Sequence, residues 1–575
     1  MKTKLLTFIL LFSTTIVAVQ AQCGCTFTLK STHPVRNEFD PTDMPGLKAG
    51  DVICLETGNW VSILFKDIVG APGNPIIIQN CGGLVDISGD FVGMQFEGSQ
   101  YIKVTGTGDE NEDYGILVSA INNGGTNGMA ILGKSSDIEI EHVEVSNTQT
   151  GGSGISAKTD PDCADTMTWR PNFVMRNIII HDNYIHDVGN EGLYIGYTGG
   201  YLTTKKKCSG VDAFGHLIEN VQIYNNRIVG TGRDGMQVSL CHKDLLIYDN
   251  YIEKYGDNGE FDQDFGLSIG SGSQARVYGN TIIQTSDVNA STLANKDGRG
   301  ISVLSALPPT YVHSNITVAS PGKGIWMHQR MDIADKSQGY YIINNTIINP
   351  GDAGIFYNST VPSTTNDQED LDHGFYNNII VNPGADYENS GFWKDVPEEY
   401  IDFNKKIQRD NGIHSNNFTT DNIDTLKFFD KNGNDFHIGK DSPARDFGMD
   451  VKSYGVTHDL DGREYGFDGT FDVGAYEYSD NPIGIGEDES QRDFKVYPNP
   501  AQKEINISIA LDRSADARVR LIDLRGAKIA EGTFQDLKAG DNTITLKLDD
   551  VHFKGAALLV LFAGDKTRTS TIVIE

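Results

Sequence analysis

The sequence predicts an all-β chain, a long solenoid followed by a small separate β domain, and three observations predict it. The stretch His181–Gly196, HDNYIHDVGNEGLYIG, reads as short strand, tight turn, short strand, tight turn, short strand. It recurs from Tyr224 (YNNRIVGTGRDGMQVS), Tyr248, Tyr278, His313, Ile343 and Tyr376. Two series run through the repeats. One is Asn183, Asn226, Asn250, Asn280, Asn315, Asn345 and Asn378, at spacings of 24 to 43 residues. The other is Gly192, Gly235, Gly266, Gly300, Gly324 and Gly354, each followed by an apolar residue. Self-similarity at such periods marks solenoids and arrays, and a chain of 575 residues with 63 Gly and 38% hydrophobic content suits a fold that grows in one dimension.

Each strand is justified by its side-chain alternation. With Leu193 and Ile195 inward, Gly192 and Tyr194 are read as outward, and the same register aligns Gln237, Ser268, Ser302, Trp326 and Phe356 with Tyr194. The Asn series is read as turn residues, since Asn tolerates the left-handed conformation, and as a column that could stack along the axis. These repeats resemble the right-handed parallel β-helix proteins of the pectate-lyase-like kind, from about Gly46 to Tyr478. The opening segments Gly46–Trp60 and Gly70–Gly83 are similar to the first turns of chondroitinase-B-like and alginate-lyase-like solenoids, although the calcium and catalytic motifs of those families find no residue-by-residue match downstream.

In chain order, residues 1–21 read as a secretory signal peptide: Lys2 and Lys4, the apolar run Leu5–Val19, then Val19-Gln20-Ala21 as cleavage site. Residues 22–45 are assigned to an N-terminal cap, 46–403 to the solenoid, 404–478 to a C-terminal cap hiding the last strand edge, and 479–493 to an acidic linker. Two long excursions, Thr159–Phe173 and Tyr197–His216, leave the solenoid near its middle, where loops on a rigid scaffold can build a site. Residues 494–575 alternate apolar and polar over strand lengths in VYPNPA, VRLIDLRGAKI and GDNTITLKL. They resemble the C-terminal sorting domain of the type IX secretion system. That resemblance implies contact with the secretion machinery, passage through the periplasm and outer membrane, and secretion or display at the cell surface.

The net charge is −31, and −33 after loss of Lys2 and Lys4 (−31 − 2), so the surface should repel nucleic acid and anionic lipid. No mature segment has about 18 uninterrupted apolar residues, the length a membrane span needs. Export permits disulfides among the 7 Cys. Cys54 and Cys81 could bridge the first turns, Cys208 could pair with Cys163 or Cys241, and the odd count leaves a thiol over.

The chemistry is expected in the column ahead of the glycines: Glu191, Asp234, Phe265 with Asp264 beside it, Arg299, Lys323 and Ala353. Glu191 and Asp234 stand on consecutive turns, about 4.8 Å apart in a parallel sheet, where like charges disfavour joint ionisation. Such a pair could serve glycosidic hydrolysis. Alternatively, carboxylates including Asp262 and Asp264 could hold calcium, with Arg233, Lys243, Arg299 or Lys323 taking the proton in a β-elimination, as lyases of similar fold do. Tyr194, Tyr197, Gln237, Trp326, His328 and Arg330 are the expected sugar contacts, with the aromatic rings as stacking platforms. The expected function is degradation of a polysaccharide, first by elimination on a uronate-containing glycan, with hydrolysis the alternative. A glycan-binding protein or a surface adhesin would lack the acid–base cluster.

Overall fold

A computed structural model of the chain describes residues 23–574 except 90–91, 110, 120–126, 150, 199–200, 202–205, 286–297, 330–338, 360–372, 385–400, 404–413, 480–493, 498–500, 502, 512–513, 524–527, 549–552 and 564–565. The signal-peptide segment and Arg330 lie outside the described residues. No described helix is long and apolar enough to cross a membrane. The chain divides into two compact units: residues 1–426 with 446–449 and 473–475, and residues 427–445, 450–472 and 476–575.

The first unit is a parallel β-helix. One sheet has 23 strands and the other 12, and every pairing between successive turns is parallel. A turn is typified by Val174–His181, Tyr184–Val188 and Leu193–Ile195; the first two join the 23-stranded sheet and the third the 12-stranded sheet. Strand pairing begins before Gly46, since Phe27–Leu29 and Arg36–Phe39 already pair with Val52–Trp60 and Ser62–Lys66. It continues past 403 through His414–Ser415 and Phe418–Thr420. The interior is a stack of Ile, Val and Leu, with Ile178, Ile180, Ile185, Leu193 and Ile195 all buried.

The Asn series forms one continuous ladder. Each side-chain amide from Asn183 to Asn378 donates to the next Asn Oδ1 at 2.9–3.0 Å, and the ladder ends on Asn417. The same amides also reach backbone carbonyls, as Asn226 does to Ile180 and Tyr224. The left-handed backbone falls one residue earlier than the sequence reading placed it, on Asp182, Asn225, Asp249 and their equivalents. The ladder Asn therefore acts through its side chain, satisfying corner groups that burial would otherwise orphan.

The glycines also differ from expectation. A Cβ at Gly192 would stand 2.5 Å from the Gly235 carbonyl oxygen and 2.6 Å from Ile228 Cγ2. Gly192 thus faces the core and the next turn, and the outward reading is corrected: the strand alternation begins only after the corner. Outside, a column of rings, His181, Tyr224, Tyr248, Tyr278 and His313, stacks at 4.5–5.1 Å between centroids.

The disulfides are Cys23–Cys81, Cys25–Cys54 and Cys163–Cys208, with Cys241 a buried thiol. Cys54 and Cys81 do not pair because Cys54 is in register with Gln79, and Cys81 with Glu56; each instead fastens the chain ahead of Thr26.

In the second unit, three antiparallel strands (Phe494–Tyr497, Glu504–Leu511, Gly540–Lys547) and four others (Ala515–Asp523, Lys528–Leu537, Gly555–Ala563, Lys566–Ile574) form two sheets. Ile505, Ile507, Leu546, Val519, Leu559 and Ile572 share one core, giving the small sandwich. Before it, His437 sits between Asp435 and Asp461. Burial alone would lower its pKa, but the two carboxylate hydrogen bonds raise it to about 9.

Candidate active site

The outer face of the 12-stranded sheet carries two rows of side chains. Register pairs Ser156, Tyr194, Gln237, Ser268, Ser302, Trp326 and Phe356 on successive turns. The row ahead of the glycines holds Ser153, Glu191, Asp234, Phe265, Arg299, Lys323 and Ala353. The carbonyls of Glu191, Asp234, Phe265, Lys323 and Ala353 each take the N–H of the glycine one turn before, as Glu191 does from Gly154 and Asp234 from Gly192. Above these rows lies a groove of about 640 Å3, lined among others by Ser153, Lys158, Glu191, Tyr194, Arg233, Gln237, Glu260 and Asp262.

Glu191 is on the groove floor and only 3% exposed. Ser153 donates its hydroxyl to Glu191 Oε2 at 2.9 Å, and Arg233 Nη1 lies 3.7 Å from Oε1. Arg233 also grips Glu260 through two nitrogens, at 2.8 and 3.1 Å. A guanidinium shared between two carboxylates fixes both. Opposite, Lys158 Nζ stands 4.6 Å from the Tyr194 ring centre, and the Tyr194 hydroxyl meets Thr198 Oγ1 at 3.0 Å.

Asp234 occupies the next turn but is 0% exposed and does not line the groove. Its Oδ1 accepts the Phe265 N–H at 3.0 Å, and its Oδ2 has no hydrogen-bond partner. Burial pushes its carboxyl well above the usual range; the Phe265 N–H opposes this, and the charges of Glu191 and Asp264 add to it. Asp234 therefore lies under the floor, out of direct reach of a ligand, and of the expected pair it is Glu191 that lines the groove.

The remaining candidates divide. Arg299 is sandwiched between Phe265 and Trp326, 4.4 and 3.7 Å from their ring centres, with Nη1 3.4 Å from Asp262 Oδ1. Trp326 is 6% and Phe356, with Lys323 beside its ring, 2% exposed, so neither ring offers a face to a sugar. His328 is buried beside Trp326. Lys323 pairs with Asp352 at 2.7 Å. Tyr197 packs its ring on Gly215, where a Cβ would come within 2.4 Å of Cδ1, and burial raises its pKa. Lys243 is not on this face: it belongs to Cys241–Tyr248 of the 23-stranded sheet, 63% exposed, beside Asp244.

Calcium does not fit the suggested donors as they stand. Asp234 and Asp264 are buried, Asp262 meets Arg299, and Glu191 is held by Ser153 and Arg233. Among the described residues, the one Asp/Glu/His trio whose ligand atoms lie within 4.8 Å of one another is Glu139, Glu141 and His181, and Lys103 bridges its two glutamates at 2.7 and 2.9 Å. Sequence reasoning missed Ser153, Lys158 and Glu260. Ser153-Gly154-Ile155 does repeat the pattern of a polar residue, Gly and an apolar residue, and was a readable signal. Glu260 carries none, because irregular chain between the strands Tyr251–Glu253 and Phe265–Ile269 places it; Lys158 directly follows the strand Ile155–Ala157, its N–H on the Ile131 carbonyl at 3.0 Å.

The sequence of residues 495–575 matches the family described as secretion system C-terminal sorting domain. No curated relative matches the chain in sequence. Among solved structures, pectate lyase Pel9A is similar at 13% identity, over 80% of this chain and 99% of that one, with a TM-score of 0.36. Alginate lyase from Paenibacillus sp. str. FPU-7 is similar at 13% identity, over 59% and 95%, TM-score 0.31. The PL6 family polysaccharide lyase Pedsa3628 from Pseudopedobacter saltans is similar at 16% identity, over 68% and 93%, TM-score 0.34. Likeness at these scores names no activity. The sorting domain marks a protein secreted through the type IX system, so this parallel β-helix is carried to the cell surface or beyond.

Proposed function

We propose that the protein is an exported enzyme that cleaves a polysaccharide in the groove above Glu191, by elimination at a uronate residue. The observation that carries this reading is Glu191 itself, a nearly buried carboxylate held by Ser153 and facing Arg233 on the floor of a polar groove. Lys158 and Arg233 are the cations that would face a sugar carboxylate, and Tyr194 is the ring on the groove wall. In the elimination, Glu191 takes the proton next to the sugar carboxylate. The electron pair of that C–H bond forms a C=C bond, the neighbouring C–O bond breaks, and the departing oxygen takes a proton from the Tyr194 hydroxyl. Because Lys158 and Arg233 supply the positive charge in this reading, a chelator is predicted to leave the rate unchanged.

Hydrolysis is the second reading. It is favoured by Glu260 and Asp262, which line the same groove as Glu191 and could supply the second carboxyl that glycoside hydrolysis uses. Incubation with a panel of acidic and neutral polysaccharides separates the readings. New absorbance from an unsaturated uronate means elimination, and new reducing ends without it mean hydrolysis. Retention on a glycan with neither signal means binding alone.

A further inference from the structure

Charge is spread unevenly along the groove. Lys158 and Arg233 are its two cations, and Glu191, Glu260 and Asp262 its three carboxylates. Lys158 stands over the Tyr194 ring and Arg233 beside Glu191, so both cations gather at one end. Further along, Gln237 and Ser268 follow Tyr194 on the next two turns, and Leu304 comes on the strand after them. Among the described residues, no cation lines the groove past Arg233. Glu260 and Asp262 do line it. Although they meet Arg233 and Arg299, their side chains stay 48% and 42% exposed, whereas that of Arg299 is only 4% exposed.

This second end offers neutral polar groups that the protein itself does not use. Among the described residues, the Gln237 amide has no hydrogen-bond partner. Nor has Ser268 Oγ, on a side chain only 1% exposed. A nearly buried hydroxyl without a partner costs free energy that a ligand's hydrogen bond offsets. An amide and a hydroxyl each donate and accept, which matches sugar hydroxyls, and the partly buried Leu304 gives apolar surface beside them. A uronate placed here would bring its carboxylate against Glu260 and Asp262, and like charges set together in a binding site oppose binding. We propose that the groove takes a mixed glycan, with a uronate at Lys158 and Arg233 and a neutral sugar next to it at Gln237 and Ser268. The protein then selects against polymers that carry a carboxylate on every sugar. This rests on the polysaccharide reading of the groove.

The test uses pairs of polysaccharides that share a uronate: a homopolymer of it, and a polymer in which it alternates with a neutral sugar. kcat/KM is measured on both, from unsaturated uronate and from reducing ends, for the full-length wild type, Gln237→Lys and Asp262→Asn. The wild type should favour the alternating polymer of at least one pair by about tenfold or more, the equivalent of about 1.4 kcal/mol. Gln237→Lys adds a cation to the neutral end and Asp262→Asn removes a carboxylate, so each should cut that preference about tenfold. Two variants are used because Asp262 also meets Arg299. A wild type that cuts the homopolymers as fast, or two variants with the wild-type preference, would overturn the proposal while leaving the polysaccharide reading intact. A wild type that neither binds nor cuts any polysaccharide would overturn both.

Discussion

The two parallel sheets of the solenoid are built from the same turns yet are ordered differently. Along the corner of the 23-stranded sheet, the Asn ladder repeats one residue type from Asn183 to Asn417, every amide satisfied by the next. Along the 12-stranded sheet, the row ahead of the glycines changes at each turn: Ser153, Glu191, Asp234, Phe265, Arg299, Lys323, Ala353. One of its carboxylate oxygens, Asp234 Oδ2, is left buried without a hydrogen bond. A repeating row stabilises each turn by its neighbours. A row that breaks the repeat with buried charge costs stability, and its position under a groove points to chemistry.

The contrast can be broken or sharpened by substitution, with the largest effect expected on the ladder. Asn226→Ala removes the acceptor of Asn183 and the donor to Ile180, Tyr224 and Asn250. With buried groups costing about 1–3 kcal/mol each when orphaned, denaturant unfolding should show a loss of about 3 kcal/mol or more. A loss under about 1 kcal/mol would mean that the ladder is ornamental. Next comes Glu191→Gln, expected to lower turnover at least about a hundredfold, a barrier change of about 2.7 kcal/mol, with little change in Tm. The reverse pattern would place Glu191 among the structural residues.

Asp234→Asn addresses the buried oxygen. The folded carboxyl titrates well above its ordinary value of 3.8. Its contribution to stability is therefore full below that value and lost as pH rises toward the folded pKa. The Asn variant should lack this loss, being at least as stable as the wild type at pH 8 and drawing level in acid. Thermal unfolding at both pH values checks it, and a variant less stable at pH 8 would mean that Asp234 is charged and paired. The smallest effect is expected for Lys243→Ala: stability within about 0.5 kcal/mol and unchanged turnover, since Lys243 lies on the other sheet. A large loss of turnover would move the site off the groove.

The same contrast explains what was legible in the sequence. The turns, the Asn column and the register joining Tyr194 to Gln237, Ser268 and Trp326 could be read because they recur at a fixed position within each turn. Glu191, Tyr194, Arg233, Gln237 and Asp262 were reachable because they sit at or near repeat positions, and they do line one groove. Burial was not legible: nothing in the repeat tells that Arg299 would fill the space over Trp326, or that Asp234 would sink beneath the floor. Glu260 comes from irregular chain between the strands Tyr251–Glu253 and Phe265–Ile269, and Lys158, although it directly follows the strand Ile155–Ala157, has no counterpart charge on the neighbouring turns to mark it. Gly192 was misread because a corner interrupts strand alternation.

The central claim is that the broken row works as a reaction centre for elimination on a uronate-containing polysaccharide. It is tested most directly by incubating the full-length protein and its Glu191→Gln variant with the same panel of uronate-containing polysaccharides and following the absorbance of unsaturated uronate. The account predicts a signal from the wild type on at least one of them and a signal at least about a hundredfold weaker from the variant. Equal signals from the two proteins, or none from the wild type on any glycan, would contradict it.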